Sequence, residues 1–391
     1  MEPAVKWKEN KEKYINGLFY LGLFIELLIV IIDKSAYINP IEGRLFQITF
    51  LLFGLKVLFT KYSGKEWIAI FLFGILGAIS YFITDRNEII RVVMFVAASK
   101  GISLRKSLQM VFFTILSGVL LLIILSVTGI FGTLYLSTDF GRGVIENRYC
   151  LGLGHPNALH CMIWTIIILG FYLYFEKLQW YILLVVFMGN IGLYKLTGSR
   201  TGVIIVACTV LCYAIARYWR SCRSRKALYI FSGAAFIMMV VGSAILLHYG
   251  YTTGPFHKLD LLLTRRISTA MIIAPIQSWG LFGNVLHTEY FDMGFIRLFY
   301  WYGFIPGIIY CVLNLLMIYD YYKRKDIAAL LMVILFAAYM VVEAHSISVY
   351  IPRNYVLLLL INTWPEILLL GEGEERYLWN IWGSLYRRDS K

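Results

Sequence analysis

Five arginines, two histidines and one aspartate hold the places in this chain where chemistry could be done. Arg148 opens the run Arg148-Tyr149-Cys150-Leu151-Gly152-Leu153-Gly154-His155-Pro156-Asn157. Arg200 sits in Gly198-Ser199-Arg200-Thr201-Gly202. Arg265 and Arg266 are adjacent, and Arg297 follows Asp292 by five residues, in the first turn of the next predicted helix. A guanidinium keeps its charge and offers a planar fork of donors that matches phosphate oxygens two at a time. A set of them on one face therefore suits a diphosphate. Asp292, His155 and His287 are the groups that could take a proton from an attacking hydroxyl. Plainer readings stand beside these. The arginines could pair with Asp139, Glu146, Asp260, Glu289 or Asp292, or lie among lipid headgroups. Asp292 could orient Arg297, or cap a helix that starts at Gly294. The histidines (155, 160, 248, 257, 287 and 345) show no metal-ligand spacing. The six cysteines show no CxxC pair. Neither a metal nor a cofactor is expected.

The elements that must position these groups are transmembrane helices. The chain has 391 residues, 60% hydrophobic and 15% charged, with a mean hydropathy of +0.72. A soluble domain of this length needs far more polar surface. About 20 apolar residues cross the hydrocarbon core as a helix, because each backbone polar group must be satisfied within the segment. Runs of this kind predict about 12 helices, near 14–32, 44–60, 67–83, 88–100, 107–130, 156–175, 179–195, 201–219, 227–248, 294–322, 327–343 and 353–370. The fourth is short enough to be a tilted or partial span carrying Arg91.

Loop charges orient the chain. With the amino terminus inside, the inner segments carry about 22 Lys and Arg and the outer ones about 12. The bias alternates loop by loop, as positive-inside sorting requires, and places both termini in the cytoplasm. The net charge of +13 then faces anionic lipid and calls for no nucleic acid. No cleavable signal peptide is read at the start, and residues 371–391 read as a cytoplasmic tail with a short interfacial helix. Two loops are long, and both fall outside: 131–155, with Arg142 and Arg148, and 249–293. Within the second, 259–274 reads as one interfacial helix ended by Pro275, with Arg265 and Arg266 near its middle. The outer side therefore collects the histidines and the exceptional arginines. The chain reads as a single integral membrane domain over residues 1–391.

At these residues the sequence resembles the superfamily of O-antigen ligases and polysaccharide polymerases, and most closely the Wzy-type polymerases of capsule and exopolysaccharide clusters. The resemblance is carried by the run from Arg148 to Asn157 and by Gly198-Ser199-Arg200-Thr201-Gly202. It continues through Arg265 or Arg266, Trp279-Gly280-Leu281-Phe282-Gly283, Asp292-Met293-Gly294-Phe295-Ile296 and Tyr302-Gly303-Phe304-Ile305-Pro306-Gly307. It covers about residues 142–343 in order. It implies an all-α, GT-C-like polytopic fold of the cytoplasmic membrane, with a catalytic outer loop between helices 9 and 10. It also implies transfer of a glycan from an undecaprenyl diphosphate carrier to an acceptor hydroxyl, without metal or nucleotide sugar. In a polymerase the acceptor is a second lipid-linked repeat unit, and flippase and chain-length regulator proteins are the expected neighbours. Carried over residue by residue, Arg200, Arg265 and Arg266, then Arg148 and Arg297, hold the diphosphate. Asp292, then His155, then His287, is the base. The ligase branch often has histidine where this chain has Asp292, so a ligase acting on a different acceptor is the second reading. A transporter or flippase is the third, because about 12 helices is also a common carrier count.

Overall fold

The computed structural model describes residues 3–140, 143–249 and 254–368. Arg142 and the tail 371–391 lie outside the described residues. Eight helices are long and apolar enough to cross a membrane, counted among the described residues. They lie in α1 (Pro3–Lys34), α3 (Gly64–Thr84), α5 (Leu104–Val127), α6 (Pro156–Leu173), α7 (Trp180–Thr197), α8 (Arg200–Tyr218), α9 (Lys226–Tyr249) and α13 (Phe304–Arg324). Their outward faces carry large apolar side chains, among them Phe71, Phe82, Leu121, Val185 and Phe231. Such a surface is stable where lipid is the solvent, so this is a multi-pass membrane protein.

Further helices complete the bundle. α2 (Glu42–Phe59) carries Glu42, Arg44 and Lys56, and α4 (Glu88–Ala98) has 11 residues, about 16 Å of rise. α4 is a partial span, as the sequence suggested. α14 (Ile327–Met340) has only 14 residues yet is buried on nearly every face. It packs against α6, α8, α9 and α13. A helix that is apolar all round belongs inside, and α14 is the axis around which the second half is built. Trp164 of α6 lies against Phe336 and Tyr339 of α14 at ring separations of 4.5 and 4.8 Å. Its indole N–H donates to Thr209 of α8 at 2.8 Å, so the buried polar atom is satisfied.

Three expectations change, and one break read from the sequence is seen. The loop 131–155 is not irregular: β1 (Tyr135–Asp139) pairs antiparallel with β2 (Ile145–Tyr149), Leu136 opposite Arg148, adding a hairpin to a helical fold. The interfacial helix 259–274 is two helices, α10 (Gly254–Leu262) and α11 (Arg266–Ile273). Thr264 and Arg265 between them adopt left-handed φ of 57° and 61°, and Asp260 Oδ1 accepts from the N–H groups of Ile267 and Ser268. The carboxylate satisfies orphan donors at the start of α11, which a continuous helix would not have needed. The long helix 294–322 is interrupted at Gly303, where the Gly303, Pro306 and Gly307 of its sequence already mark a break, giving α12 (Gly294–Tyr302) ahead of α13. The twelfth helix, 353–370, is not one helix either. It is a 3-10 turn at Ile351–Arg353, then α15 (Tyr355–Leu358) and α16 (Trp364–Leu368), joined by successive i→i+3 bonds. Pro352 and Pro365 remove donors, and Asn362 turns left-handed (φ 61°).

Candidate functional site

One end of the bundle gathers the end of α1 and the starts of α6, α8 and α12, with the turns after α7 and α14. Glycines let these ends meet. Gly198, left-handed at φ 61°, ends α7, and a Cβ there would lie 2.8 Å from Arg148 Nε. Ser199 caps α8 by accepting from the Gly202 N–H at 3.3 Å. A Cβ on Gly202 would lie 2.5 Å from the His160 ring, which is fully buried and held at both nitrogens, by Thr197 (3.1 Å) and Asn190 (3.0 Å). The Gly-Ser-Arg-Thr-Gly spacing is thus a compact corner: two glycines for close approach, a capping serine, and Arg200 and Thr201 set at the mouth of α8.

Thr201 Oγ1 donates to Glu343 Oε1 at 3.3 Å. The same oxygen accepts from Arg266 Nη2 at 2.6 Å. Arg266 also donates through Nη1 to the Val342 carbonyl, and its Nε lies 3.3 Å from Asp292 Oδ2. One buried arginine therefore holds two carboxylates from different segments, Asp292 before α12 and Glu343 in the turn after α14. A Cβ on Gly294 would lie 2.9 Å from the Glu343 carbonyl oxygen, so glycine permits that approach. Asp292 is half exposed (48%) and Glu343 is sunk beneath it (13%). Burial, with Asp292 adding to it against the pull of Arg266, raises the Glu343 carboxyl to about 7.

The turn that carries Glu343 is an irregular segment, 341–353, packed inside the protein. Three arginines from three elements donate to its carbonyls. Arg266 of α11 reaches Val342, Arg297 of α12 reaches Ile347 at 3.2 Å, and Arg91 of α4 reaches Val349 at 2.9 Å. Non-helical backbone within a membrane protein survives only where its polar groups find such partners. Arg91 also pairs with Glu26 at 3.2 Å, which accepts from Thr49 at 2.6 Å, deep between α1, α2 and α4. Arg353 lies 3.2 Å from His345 Nδ1 and 3.5 Å from Asp33. Arginine only donates, so the His345 proton sits on Nε2, and burial holds that ring well below its usual range.

The residues marked in the sequence now separate. Arg200 and Arg265 are exposed, and among the described residues neither guanidinium has a hydrogen-bond or ion-pair partner. In the chain Arg200 directly precedes Thr201, and Arg265 directly precedes Arg266, the two residues that bond Glu343. Arg148 is buried, chelates Glu146 at 2.7 and 2.8 Å and lies over Phe140. His155 caps α6, accepting from the Asn157 N–H at Nδ1 (3.2 Å). It is exposed at the rim, yet partial desolvation lowers its proton affinity, opposed by Asp292 and assisted by Arg148, Arg266 and Lys34. Arg297 is buried with its Nη atoms on the carbonyls of Ile347 and Phe291. It is a strut rather than a free cation; Asp292 acts on it electrostatically but, among the described residues, makes no hydrogen bond or ion pair with it. Nor does Asp292 cap α12, whose N-cap is Met293 with no side-chain bond. His287 is elsewhere, stacked on Tyr300 and donating from Nδ1 to the Tyr300 carbonyl at 2.6 Å, while Arg86 donates to the His287 carbonyl.

The later motif is a backbone crossing. Phe304 N–H donates to the Gly280 carbonyl and Ile305 N–H to that of Leu281, both at 2.9 Å. A Cβ on Gly283 would lie 1.9 Å from the Trp301 carbonyl, and one on Gly303 would lie 2.3 Å from Phe282. These glycines aim α12, and with it the Asp292 segment, at the site. Sequence reasoning missed Glu343, Thr201 and the loop 341–353. The available signal was an acidic residue closing an apolar run, with a histidine two positions on. Among the described residues, no group of three His, Cys, Asp or Glu side chains could hold a metal ion. Compared with known proteins, the chain matches no protein family, no curated protein and no solved structure.

Proposed function

We propose that this protein is a polysaccharide polymerase of the outer face of the bacterial cytoplasmic membrane, joining repeat units carried on undecaprenyl diphosphate. The reading takes the clustered end of the bundle as the outer end, in line with the loop charges. The observation that carries it is the pair of carboxylates, Asp292 and Glu343, held by buried Arg266, with exposed arginines that have no partner among the described residues next in the chain to Arg266 (Arg265) and to Thr201 (Arg200). Arg200 opens α8, where free N–H groups and the helix dipole add positive potential. Such an arrangement offers fixed cations to a leaving diphosphate and a carboxylate to an attacking hydroxyl. Breaking the bond between sugar and phosphate puts negative charge on the diphosphate, and preorganised guanidinium groups stabilise it as it forms. The carbonyl struts hold the carboxylate loop still, so that little reorganisation accompanies reaction.

The test is genetic. In the organism that makes the polymer, Arg200→Ala and Arg266→Ala leave protein in the membrane and stop long-chain polysaccharide. Normal chain lengths in both would remove the arginine assignment. One observation favours a transporter: Glu26 and Arg91 form a buried charged pair at membrane depth. Yet Arg91 is bonded to Glu26 and Val349 and covered by Phe46 at 3.7 Å, a closed arrangement that suits support better than passage. Repeat units crossing the membrane without lengthening would decide for the transporter.

A further inference from the structure

We propose that Glu343 is the catalytic proton acceptor of this site, with Thr201 and Arg266 as its positioning residues; the proposal rests on the transferase reading above. The geometry is asymmetric. Glu343 Oε1 is anchored twice, by Thr201 Oγ1 at 3.3 Å and Arg266 Nη2 at 2.6 Å. Among the described residues Oε2 has no hydrogen-bond partner, and it is not one of the sealed, unsatisfied atoms of the core. One oxygen fixes the carboxylate and the other is left open to receive a proton. Asp292 sits above it on the same arginine, half exposed, where it can meet the incoming sugar. In the step, a lone pair on the acceptor hydroxyl forms the new bond to the anomeric carbon. The bond from that carbon to the phosphate oxygen breaks, and the electron pair leaves with the lipid diphosphate. The hydroxyl proton passes to Glu343 Oε2 and then to water at the Asp292 rim.

The groups facing Glu343 come from every neighbouring element. Arg266 of α11 favours its ionised form. Asp292 opposes it, and burial opposes it more. Tyr339 of α14 and Cys161 of α6 lie close enough to interact with it electrostatically. His155 at the start of α6 interacts with Asp292 and Arg266. A carboxyl whose proton affinity is raised by burial is a stronger base than an ordinary one.

The experiment is the pH profile of kcat/KM for the reconstituted full chain with an undecaprenyl-diphosphate-linked oligosaccharide. The wild-type rate rises with pH through a limb near 7, because only the ionised carboxylate accepts a proton. Glu343→Gln, which can still bond Arg266 and Thr201, loses about 10²- to 10⁴-fold in kcat and loses the limb. Glu343→Asp keeps the limb at a reduced rate. Asp292→Asn keeps the limb and moves it to lower pH, because the charge that raises Glu343 is gone. A limb that survives in Glu343→Gln, or disappears in Asp292→Asn with Glu343 intact, overturns the proposal and leaves the transferase reading standing. Should Glu343→Gln fail to fold, the Asp292→Asn profile decides alone. A wild type that lengthens no chains, whatever the pH, removes the transferase reading itself.

Discussion

Arg91 and Arg200 are carried by helices of the same bundle, in opposite surroundings. Arg91 is 5% exposed, with a carboxylate at 3.2 Å, a carbonyl at 2.9 Å and a phenyl ring over its face. Arg200 is exposed, on a helix start, with no partner among the described residues. Arg297 belongs with the first, Arg265 with the second. Arg266 bridges them, buried like a strut yet holding the two carboxylates of the site. Residue type alone gives all five the same chemistry. Burial and partner count separate those that build the carbonyl-lined loop 341–353 from those left free to meet an anion.

The sharpest way to break this comparison is Arg91→Ala. It strands Glu26, 1% exposed, as an uncompensated carboxylate and frees the Val349 carbonyl. The expected cost is about 3–5 kcal/mol, read as a lower melting temperature in detergent. Adding Glu26→Gln should recover much of it. A single mutant that melts with the wild type would show that Arg91 is no strut. Next comes Gly202→Ala, whose Cβ would press into the His160 ring at 2.5 Å. Between His160, Thr197 and Asn190 there is no flexible chain to move aside, so about 1–3 kcal/mol is expected, with a fall in activity. The smallest effect on stability is expected from Arg200→Ala and Arg265→Ala, within about 0.5 kcal/mol of wild type. Their effect on chain lengthening should be large, about 10²-fold or more for each. If either unfolded the protein, it would be a strut after all.

Membrane class and most helix positions were legible because hydropathy reports directly on the need to satisfy backbone in lipid. The irregular parts were not. Residues 353–370 are apolar enough to read as a span, but Pro352 just ahead of them, Pro365 and a left-handed Asn362 divide the described part, 353–368, into short turns packed inside the protein. The 259–274 stretch has helical periodicity, and only the tertiary use of Asp260 as a cap divides it. Of the site, the arginines were legible from charge against the topology rule. What separated Arg297 from Arg200 was partner geometry, which spacing does not carry. Glu343 was hidden because it ends an apolar run and is brought to Arg266 by the fold.

The most direct measurement is reconstitution of the purified chain in liposomes. An undecaprenyl-diphosphate-linked oligosaccharide would be supplied with neither nucleotide sugar nor added metal. The account predicts a ladder of lengthened lipid-linked glycans that disappears with Arg200→Ala. No lengthening by the folded wild-type protein, or an undiminished ladder from Arg200→Ala, would contradict it.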